Sequence, residues 1–247
     1  MTVSSPDRNK QFEYLLGQKQ AFLARGWPIL HIDTKKRELI GVFKNPGAVW
    51  CREPHRVNVY DFRSLAKGIA IPYGLYDPVR NTGFVYVGTS ADTAEFAVDA
   101  IVWCWQTYGH LDYPGAPELL LLADGGGSNG YRPRLWKYAL QHHLVNSTGL
   151  TVTVCHYPTG ASKWNWVEHR LFSPISRNWA GEPLTSYAKM LNFLNATTTK
   201  QGLIVRAILT KKKYQTKIKI SDEQMACLNL SKHTTLPQWN YTIKPTS

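Results

Sequence analysis

The sequence predicts a mixed α/β fold in which a five-stranded sheet carries helices on both faces. Apolar runs of strand length alternate with segments in which apolar residues recur every three or four positions. Two of the strand-like runs are joined by a turn composition, which is typical of a hairpin. Residues 119–123 are apolar without interruption, as expected of a central strand covered on both faces. These observations predict a sheet with both parallel and antiparallel pairs.

The first predicted element is a lead-in amphipathic helix within residues 1–27, and Gly26 ends it. Residues 29–33 follow as a short strand, and residues 38–43 continue it or pair with it after a basic turn. Residues 44–69 contain several prolines and glycines around one brief alternating run. We therefore predict an insertion at about 44–69.

A hairpin and a helix come next in the predicted core. Residues 70–76 and 83–87 are rich in β-branched and aromatic residues, and the segment between them has a turn composition. Thr89 and Ser90 then offer an N-cap for a core-facing helix that ends near Gly109.

The remaining elements complete a core that spans residues 28–180. They are strands at 119–123 and 150–155 and helices at 133–143 and from 162 towards 179. Residues 181–247 are predicted to form a basic C-terminal extension packed on this core.

Charge and composition narrow the classes of function. The 247 residues carry 29 Lys and Arg against 17 Asp and Glu, a net charge of +12, which favours a polyanionic partner such as nucleic acid. No apolar run approaches the roughly 20 residues needed to cross a bilayer, and the N-terminus lacks the apolar centre of a signal peptide. We therefore expect a cytoplasmic protein without a membrane partner. The four cysteines lie far apart, which supports neither a zinc knuckle nor a disulfide framework.

The C-terminal extension contains the strongest basic run. Residues 211–213 are three lysines, and residues 216–220 alternate lysine with threonine and isoleucine. This pattern predicts a basic strand or ribbon that follows a DNA backbone without reading its sequence. An edge strand protected from aggregation by its lysines explains the pattern equally well.

Three isolated carboxylates indicate a metal site. Asp33 and Asp124 each stand at the end of an apolar run, and no acidic residue follows Asp124 until Glu168. An acid at the inner end of a buried strand loses hydration, so it stays ionised at low cost only beside a cation or several donors. Glu168 and Asn165 lie near one face of the predicted helix. Two strand-end aspartates with a helical glutamate are the layout of phosphoryl transfer with two Mg²⁺ ions.

A glycine-rich loop follows the second aspartate. Its G-x-G-x-x-G pattern begins at Gly125, but the acid that a dinucleotide site needs about 20 residues further on is missing. The patterns of phosphate-binding P-loops and of H-E-x-x-H zinc sites are also absent. The glycines instead allow the backbone to approach a phosphate or a metal beside Asp124, with Ser128 and Asn129 as donors.

At these residues the chain resembles the catalytic part of insertion-sequence DDE transposases of the ISAzo type. The most distinctive motifs are Asp-Gly-Gly-Gly-Ser-Asn-Gly at 124–130 and Ser-Lys-Trp-Asn at 162–165. Further matching stretches are 33–41, 71–74, 92–97, 168–172 and 239–243. Asp61 and Asp77 also end strand-like runs and compete for the first catalytic position, but neither carries the Thr-Lys-Lys context that follows Asp33.

The resemblance implies a ribonuclease H-like core that binds two Mg²⁺ or Mn²⁺ ions and cuts and rejoins the ends of a mobile element. Asp33, Asp124 and Glu168 are then the catalytic triad and the metal ligands. The expected partners are DNA, both transposon ends and target, and further copies of the chain in a homo-oligomer on DNA. The predicted location is the cytoplasm, at the nucleoid when DNA is bound. The candidate DNA-binding residues are Lys35, Lys36, Ser128, Asn129, Lys163, Asn165 and Arg170.

One feature departs from the family pattern. Members of this kind carry a helix-turn-helix segment ahead of the catalytic core, whereas this chain begins almost directly at the lead-in helix. We therefore expect the catalytic part of a truncated copy. Two alternatives stay open: a non-catalytic nucleic-acid-binding remnant, and a nuclease of the same fold that hydrolyses DNA without joining it. Each basic candidate can also be an ordinary solvated side chain.

Overall fold

The computed structural model describes residues 6–54, 56–161 and 164–246. Within these residues, nine strands form one mixed sheet. The strands are β1 (Ile29–Thr34), β2 (Glu38–Ile40), β3 (Gly68–Asp77), β4 (Thr82–Gly88), β5 (Glu118–Ala123), β6 (Thr151–His156), β7 (Ile204–Leu209), β8 (Leu230–Lys232) and β9 (Asn240–Ile243).

The strand order is β7-β4-β3-β1-β5-β6-β9-β8, and β2 pairs with β3 beside this path. Strands β1, β5 and β6 are parallel to one another, as are β4 and β7, while β3 runs antiparallel to both β1 and β4. The five predicted strands are the central ones, β4-β3-β1-β5-β6, and the mixed α/β fold class is confirmed. Strands β7, β8 and β9 extend the sheet beyond the prediction, since residues 181–247 contribute edge strands on both sides.

The helices are shorter and more segmented than their sequence periodicity indicates. They are α1 (Pro6–Arg25), α2 (Ala94–Cys104), α3 (His110–Asp112), α4 (Arg134–Ala139), α5 (Asn146–Thr148), α6 (Ser173–Asn178), α7 (Tyr187–Asn195) and α8 (Asp222–Ala226). Segments of π-helix at Trp105–Gly109 and Leu140–Val145 join α2 to α3 and α4 to α5, and a π-helical turn at Val167–Phe172 precedes α6.

Both faces of the sheet are covered, because apolar side chains of its central strands alternate between two cores. On one face, Phe96 and Ile101 of α2 and Trp136 of α4 pack on the sheet, and all three side chains are fully buried. On the other face, α1 covers β1 and β5, while the π-helical turn, α6 and α7 cover β3, β4 and β7. Strands β1 and β5 are therefore central, and their carboxyl ends meet at one end of the sheet.

Several local predictions differ from the structure. Strand β2 neither continues β1 nor pairs with it, because it pairs with the start of β3. Helix α2 is capped by Thr93, whose Oγ1 accepts a hydrogen bond from the Phe96 N–H at 3.2 Å, and not by Thr89 or Ser90. Residues 216–220 form no strand in the described chain. They face the glycine-rich loop across a groove, and the Ile220 carbonyl accepts a hydrogen bond from the Arg134 guanidinium at 3.2 Å. The predicted helix from residue 162 becomes the π-helical turn followed by α6, and residues 162 and 163 lie outside the described residues.

The predicted insertion contains little regular structure. Phe43 pairs with Asn58 in an isolated bridge, and residues Arg63–Leu65 form one 3₁₀ turn. Trp50 and Tyr60 are largely exposed, at 101% and 71%. None of the described helices combines the length and the apolar character that a bilayer crossing requires.

Candidate active site

The pairing of β1 with β5 brings the two strand-end aspartates side by side. The strands are parallel, and Ile32 lies opposite Ala123 in their register. Asp33 directly follows Ile32, and Asp124 directly follows Ala123. Their carboxylates therefore lie at the same edge of the sheet. Both are half-buried and line a cleft of about 580 Å³. The structure thus brings together two of the three acids that the sequence singled out.

Burial and mutual repulsion shape the electrostatics of this pair. Burial, together with the charges of Asp124, Glu168 and Asp92, raises the pKa of Asp33 to about 7 against the opposing hydrogen bond from the Thr34 N–H. Burial also raises the pKa of Asp124 above its usual range, and the Asn165 amide opposes that rise. Carboxylates that repel one another inside a cleft are stabilised by a cation.

Glu168 is held by the packing of the π-helical turn on the sheet. Leu171 and Phe172 of this turn are buried against two strand glycines, Gly74 and Gly83. A Cβ on Gly74 would lie 2.6 Å from Phe172 Cζ, and a Cβ on Gly83 would meet Leu171 Cδ1. The missing side chains therefore let the turn approach the sheet closely, on the face where Asp33 stands opposite Gly74.

Glu168 is the third acid near the cleft. It is half-buried and close enough to raise the pKa of Asp33, and it lines a second opening with Lys35 and Lys36. Among residues 6–54, 56–161 and 164–246, no three Asp, Glu, His or Cys side chains stand together as a ready-made metal cluster. Asp33 and Asp124 line the same cleft, and Glu168 lines the neighbouring opening.

Asn165 connects the strand ends to the turn that carries Glu168. Its buried amide donates to Ile32 O and to Asp124 Oδ1, both at 3.1 Å. Its Oδ1 accepts from the Val167 N–H at 3.3 Å, and its carbonyl accepts from the Glu168 N–H at 3.2 Å. Asn165 therefore orients the Asp124 carboxylate and fixes the start of the π-helical turn.

The glycine-rich loop lies next to Asp124. Asn129 is buried, with its amide 3.5 Å from Ile32 O and its carbonyl 3.0 Å from His156 Nε2. Gly127 has a φ of +74°, in the left-handed region that favours glycine, and it is exposed on the cleft. The amides of Asn129 and Asn165 are thus engaged inside the protein, whereas the loop glycines face the cleft.

A further carboxylate, Asp92, lines the same cleft and was not among the predicted site residues. Its Oδ1 accepts from Thr34 Oγ1 at 3.4 Å, and Ser128 lies 3.5 Å from that same hydroxyl. Burial raises the pKa of Asp92, while the Ser128 and Thr34 hydroxyls and the Arg37 charge oppose the rise. Its hydroxyl partners come from distant segments, so the sequence offers no local signal of this arrangement.

Tyr73 adds an unpartnered polar atom to this region. Its side chain is fully buried, and its hydroxyl has no hydrogen-bond partner among the described residues. Burial raises its pKa well above the usual range, and the charges of Asp33 and Asp92 raise it further. The hydroxyl therefore lies within electrostatic range of two carboxylates of the cleft.

The basic candidates are distributed around both openings. Lys35 forms an ion pair with Glu38 and lies 5.0 Å above the Trp179 ring. Lys36 is exposed and lines both the cleft and the second opening. Arg170 is exposed and lies 5.8 Å from the Trp166 ring centre. Lys163 lies outside the described residues.

Arg37 and Arg132 also line the cleft, and neither was among the predicted DNA-binding residues.

The competing aspartates lie elsewhere. Asp77 ends β3, which is antiparallel to β1, so it stands at the opposite end of the sheet. There its carboxylate accepts from the N–H groups of Val79 and Arg80 and from the Tyr113 hydroxyl. Asp61 is exposed in the predicted insertion.

The donor set fits a hard divalent cation. Mg²⁺ and Mn²⁺ prefer oxygen ligands, and carboxylates are their usual protein ligands. Asp33 and Asp124 supply such oxygens in the cleft and Glu168 supplies them in the neighbouring opening, and the exposed Lys36 lines both. This arrangement suits a ligand that carries phosphate groups.

The chain is similar to two solved structures of the Mos1 transposase. The Mos1 transposase paired-end complex with the left transposon end matches with a TM-score of 0.51 and 16% identity, over 76% of this chain and 52% of that chain. The Mos1 strand transfer complex matches with a TM-score of 0.49 and 16% identity, over 76% and 51%. The chain thus spans about half the length of the Mos1 chains. The first match confirms the predicted ribonuclease H-like fold class.

Sequence comparison identifies the family. No curated protein matches the chain. The family described as Rhodopirellula transposase DDE domain matches residues 2–245, which is nearly the whole sequence. This match confirms the resemblance to DDE transposases that the motifs carry. The chain therefore belongs to the Rhodopirellula transposase DDE domain family.

Proposed function

We propose that this chain cuts and joins DNA strands by two-metal-ion phosphoryl transfer, as the catalytic domain of an insertion-sequence transposase acting on nucleoid DNA in the cytoplasm. The observation that carries the proposal is the position of Asp33 and Asp124 at the ends of adjacent parallel strands. Both carboxylates are half-buried, and burial raises the pKa of each. Such a pair has a physical reason to bind divalent cations.

Asp33, Asp124 and Glu168 are the residues that would hold two Mg²⁺ or Mn²⁺ ions. The ions would lower the pKa of the attacking hydroxyl and neutralise the charge that develops on the leaving oxygen. The protein contributes position: Asn165 holds the Asp124 carboxylate by a 3.1 Å hydrogen bond and fixes the turn that carries Glu168. Phosphoryl transfer needs little covalent help, so placement and charge compensation are the main contributions of the chain.

The basic rim would position the DNA. Lys36 and Arg132 line the cleft, and exposed lysine and arginine side chains contact phosphates without reading bases. Gly126 and Gly127 are exposed on the cleft, where the absence of side chains gives a phosphate access to the backbone. We propose DNA contacts by Lys35, Lys163 and Arg170 as well, because they flank the acids along the chain.

Two displacements would use the same site. In the first, a water oxygen bonds to phosphorus at the element end and the 3′ oxygen leaves with a proton. In the second, that 3′ hydroxyl attacks a target phosphodiester and displaces the target's own 3′ oxygen. Joining requires two DNA ends in one assembly, so we propose that the chain acts as a homo-oligomer on DNA.

Metal-dependent nicking of plasmid DNA tests the proposal. We expect cutting with Mn²⁺ or Mg²⁺, none with EDTA, and a loss of at least about 100-fold in Asp124→Asn and in Glu168→Gln. Glu118→Gln is the matched control, because Glu118 begins the strand β5 that leads to Asp124 and lies at its opposite end. A folded protein that neither binds metal nor cuts DNA would refute the proposal and favour a non-catalytic nucleic-acid-binding remnant.

A supplied 3′ hydroxyl separates joining from hydrolysis. Labelled oligonucleotides that end in a 3′ hydroxyl are incubated with plasmid, metal and protein. Transfer of the label to plasmid supports a polynucleotidyl transferase. Cutting without any transfer would favour the alternative of a ribonuclease H-like nuclease.

A further inference from the structure

Residues 210–220, called here the basic strap, lie beside the cleft. The chain has no acidic residue between Glu182 and Asp222. Within the strap, the lysines are Lys211, Lys212, Lys213, Lys217 and Lys219. The strap follows the end of β7, and this end lies level with the end of β1 that carries Asp33. The strand pairings show this, because Leu209 pairs with Val87 and Val87 pairs with Pro72. The next residue of β3, Tyr73, pairs with Thr34 of β1.

The strap is fixed to helix α2 by Lys212 and Tyr214. The Tyr214 hydroxyl donates to Asp99 Oδ2 at 2.8 Å, and its buried ring lies 5.3 Å from that of Phe96. Lys212 Nζ lies 3.1 Å from Glu95 Oε1 and 2.8 Å from Asp99 Oδ2. The charge of Lys212 is therefore used to hold the strap in place.

The other strap lysines are not used in this way. Lys211, Lys213, Lys217 and Lys219 are exposed and form no ion pair within the described part of the chain. Protection of an edge strand does not explain these lysines, because residues 210–220 belong to no strand in the described chain. Four exposed cations on a fixed segment remain without a structural role.

A groove of about 390 Å³ separates the strap from the glycine-rich loop. Lys217 and Thr216 line it from the strap, and Gly127 and Ser128 line it from the loop. Arg37, Asp92 and Gly127 line both this groove and the catalytic cleft, so the two are continuous.

The backbone conformation at Lys217 does not require a lysine side chain. Its φ is +63°, a left-handed conformation in which glycine is less strained than lysine. The turn of the strap therefore does not need a lysine at this position. A lysine there adds positive charge to the groove wall at the expense of backbone strain.

We propose that this groove carries the phosphate backbone of a DNA strand between the catalytic cleft and the strap, with Lys217 on one wall and Arg37 at the junction. The inference rests on the proposed function and names a path for its substrate. Basic side chains along a groove contact phosphates irrespective of sequence and release counterions on binding. Asp92 lies in the same wall, where the Thr34 and Ser128 hydroxyls bond its carboxylate and Arg37 lies nearby.

Salt-dependent DNA binding tests the groove without requiring catalysis. The affinity for a fluorescein-labelled duplex is measured by anisotropy over a range of salt concentrations, in EDTA. We expect Lys217→Gln to bind severalfold more weakly, with the slope of log affinity against log salt smaller by about 1, and equally so for unrelated sequences. Lys200→Gln is the matched control, because Lys200 is exposed before the start of β7, at the opposite end of the sheet, and should leave affinity and slope unchanged.

Lys217→Gly guards against a folding artefact, because glycine fits the left-handed backbone. It should keep or raise the melting temperature and still weaken binding. Equal affinity and slope for Lys217→Gln, Lys217→Gly and Lys200→Gln would overturn the proposed path.

The two proposals fail separately. A Lys217-dependent slope in a protein that never cuts DNA supports the groove and refutes only the catalytic function. Normal metal-dependent cutting with a slope independent of Lys217 refutes only the groove.

Discussion

At the scale of single residues, the carboxyl of Asp33 is the group whose surroundings matter most. It shares the strand rim with Asp124, and burial raises its pKa to about 7. Asp33 and Asp124 could be selected from the sequence because each ends an apolar run, which places an acid at the end of a buried strand. Asp92 could not, because the hydroxyls of Thr34 and Ser128 that hold it lie far away along the chain.

The raised pKa of Asp33 predicts how the stability of the metal-free protein depends on pH. Between the ordinary value of 3.8 and about 7, the folded protein keeps a proton that the unfolded chain has lost. The free energy of unfolding therefore falls as the pH rises through this range. In EDTA, we expect the Tm of the wild type relative to Asp33→Asn to fall by several degrees between about pH 5 and about pH 8.

Thermal unfolding followed by circular dichroism measures this difference. Mg²⁺ in excess should restore the wild type near pH 8 and leave Asp33→Asn almost unchanged, because a ligand that binds only the folded state stabilises it. A Tm difference that stays constant with pH would contradict the raised pKa.

At the scale of elements, the central strands were predictable and the helical details were not. The apolar run at 119–123 leaves few alternatives to a central strand, and β5 forms there. A π-helical turn has no periodicity that distinguishes it from an α-helix, so the segment around Glu168 was predicted as one regular helix. Its position depends instead on strand glycines, whose role appears only when the turn packs on them.

Gly74→Ala tests how the π-helical turn is seated. The added methyl group would lie 2.6 Å from Phe172 Cζ, so the turn that carries Glu168 must move. We expect a loss of about 1–3 kcal/mol in the free energy of unfolding, measured in urea, together with weaker metal-dependent cutting by the folded protein. Gly17→Ala in α1 is the control, because nothing lies within 4 Å of its added Cβ.

The control has its own expected sign. An exposed helical glycine replaced by alanine should gain about 0.5–1 kcal/mol and leave cutting unchanged. If Gly74→Ala were as stable and as active as the wild type, the turn would not depend on this glycine.

At the scale of the whole molecule, helix α1 and strand β9 meet although they lie far apart in the sequence. Gln11 of α1 and Asn240 of β9 exchange two side-chain hydrogen bonds, at 2.8 and 2.7 Å, and both side chains are fully buried. Gln11 also donates to His156 O at 2.8 Å. Contacts between residues so distant in sequence leave no local pattern, which is why β8 and β9 were predicted only as part of an extension.

A double-mutant cycle measures this connection. Gln11→Ala and Asn240→Ala each leave a buried amide without its partner, so each should cost about 1–3 kcal/mol. The double variant should lose less than the sum of the two, by about 0.5 kcal/mol or more, in urea unfolding. Additive losses would show that the two amides do not stabilise the fold as a pair.

The positions of the basic side chains also depend on contacts between distant parts of the chain. The net charge of +12 predicted a polyanionic partner, and basic side chains line both the cleft and the groove. The strap lysines are placed by the contact between the strap and α2, in which the Tyr214 hydroxyl donates to Asp99. The spacing of the lysines in the sequence does not reveal this contact.

The rate of plasmid nicking as a function of Mn²⁺ concentration, for the wild type, Asp33→Asn and Glu118→Gln, tests the central claim most directly. If Asp33 belongs to a divalent-metal site that cuts DNA, the wild type and Glu118→Gln cut with the same metal dependence and Asp33→Asn does not cut. Equal cutting by Asp33→Asn and the wild type would contradict the assignment of the site, as would a folded wild type that does not cut DNA at any metal concentration.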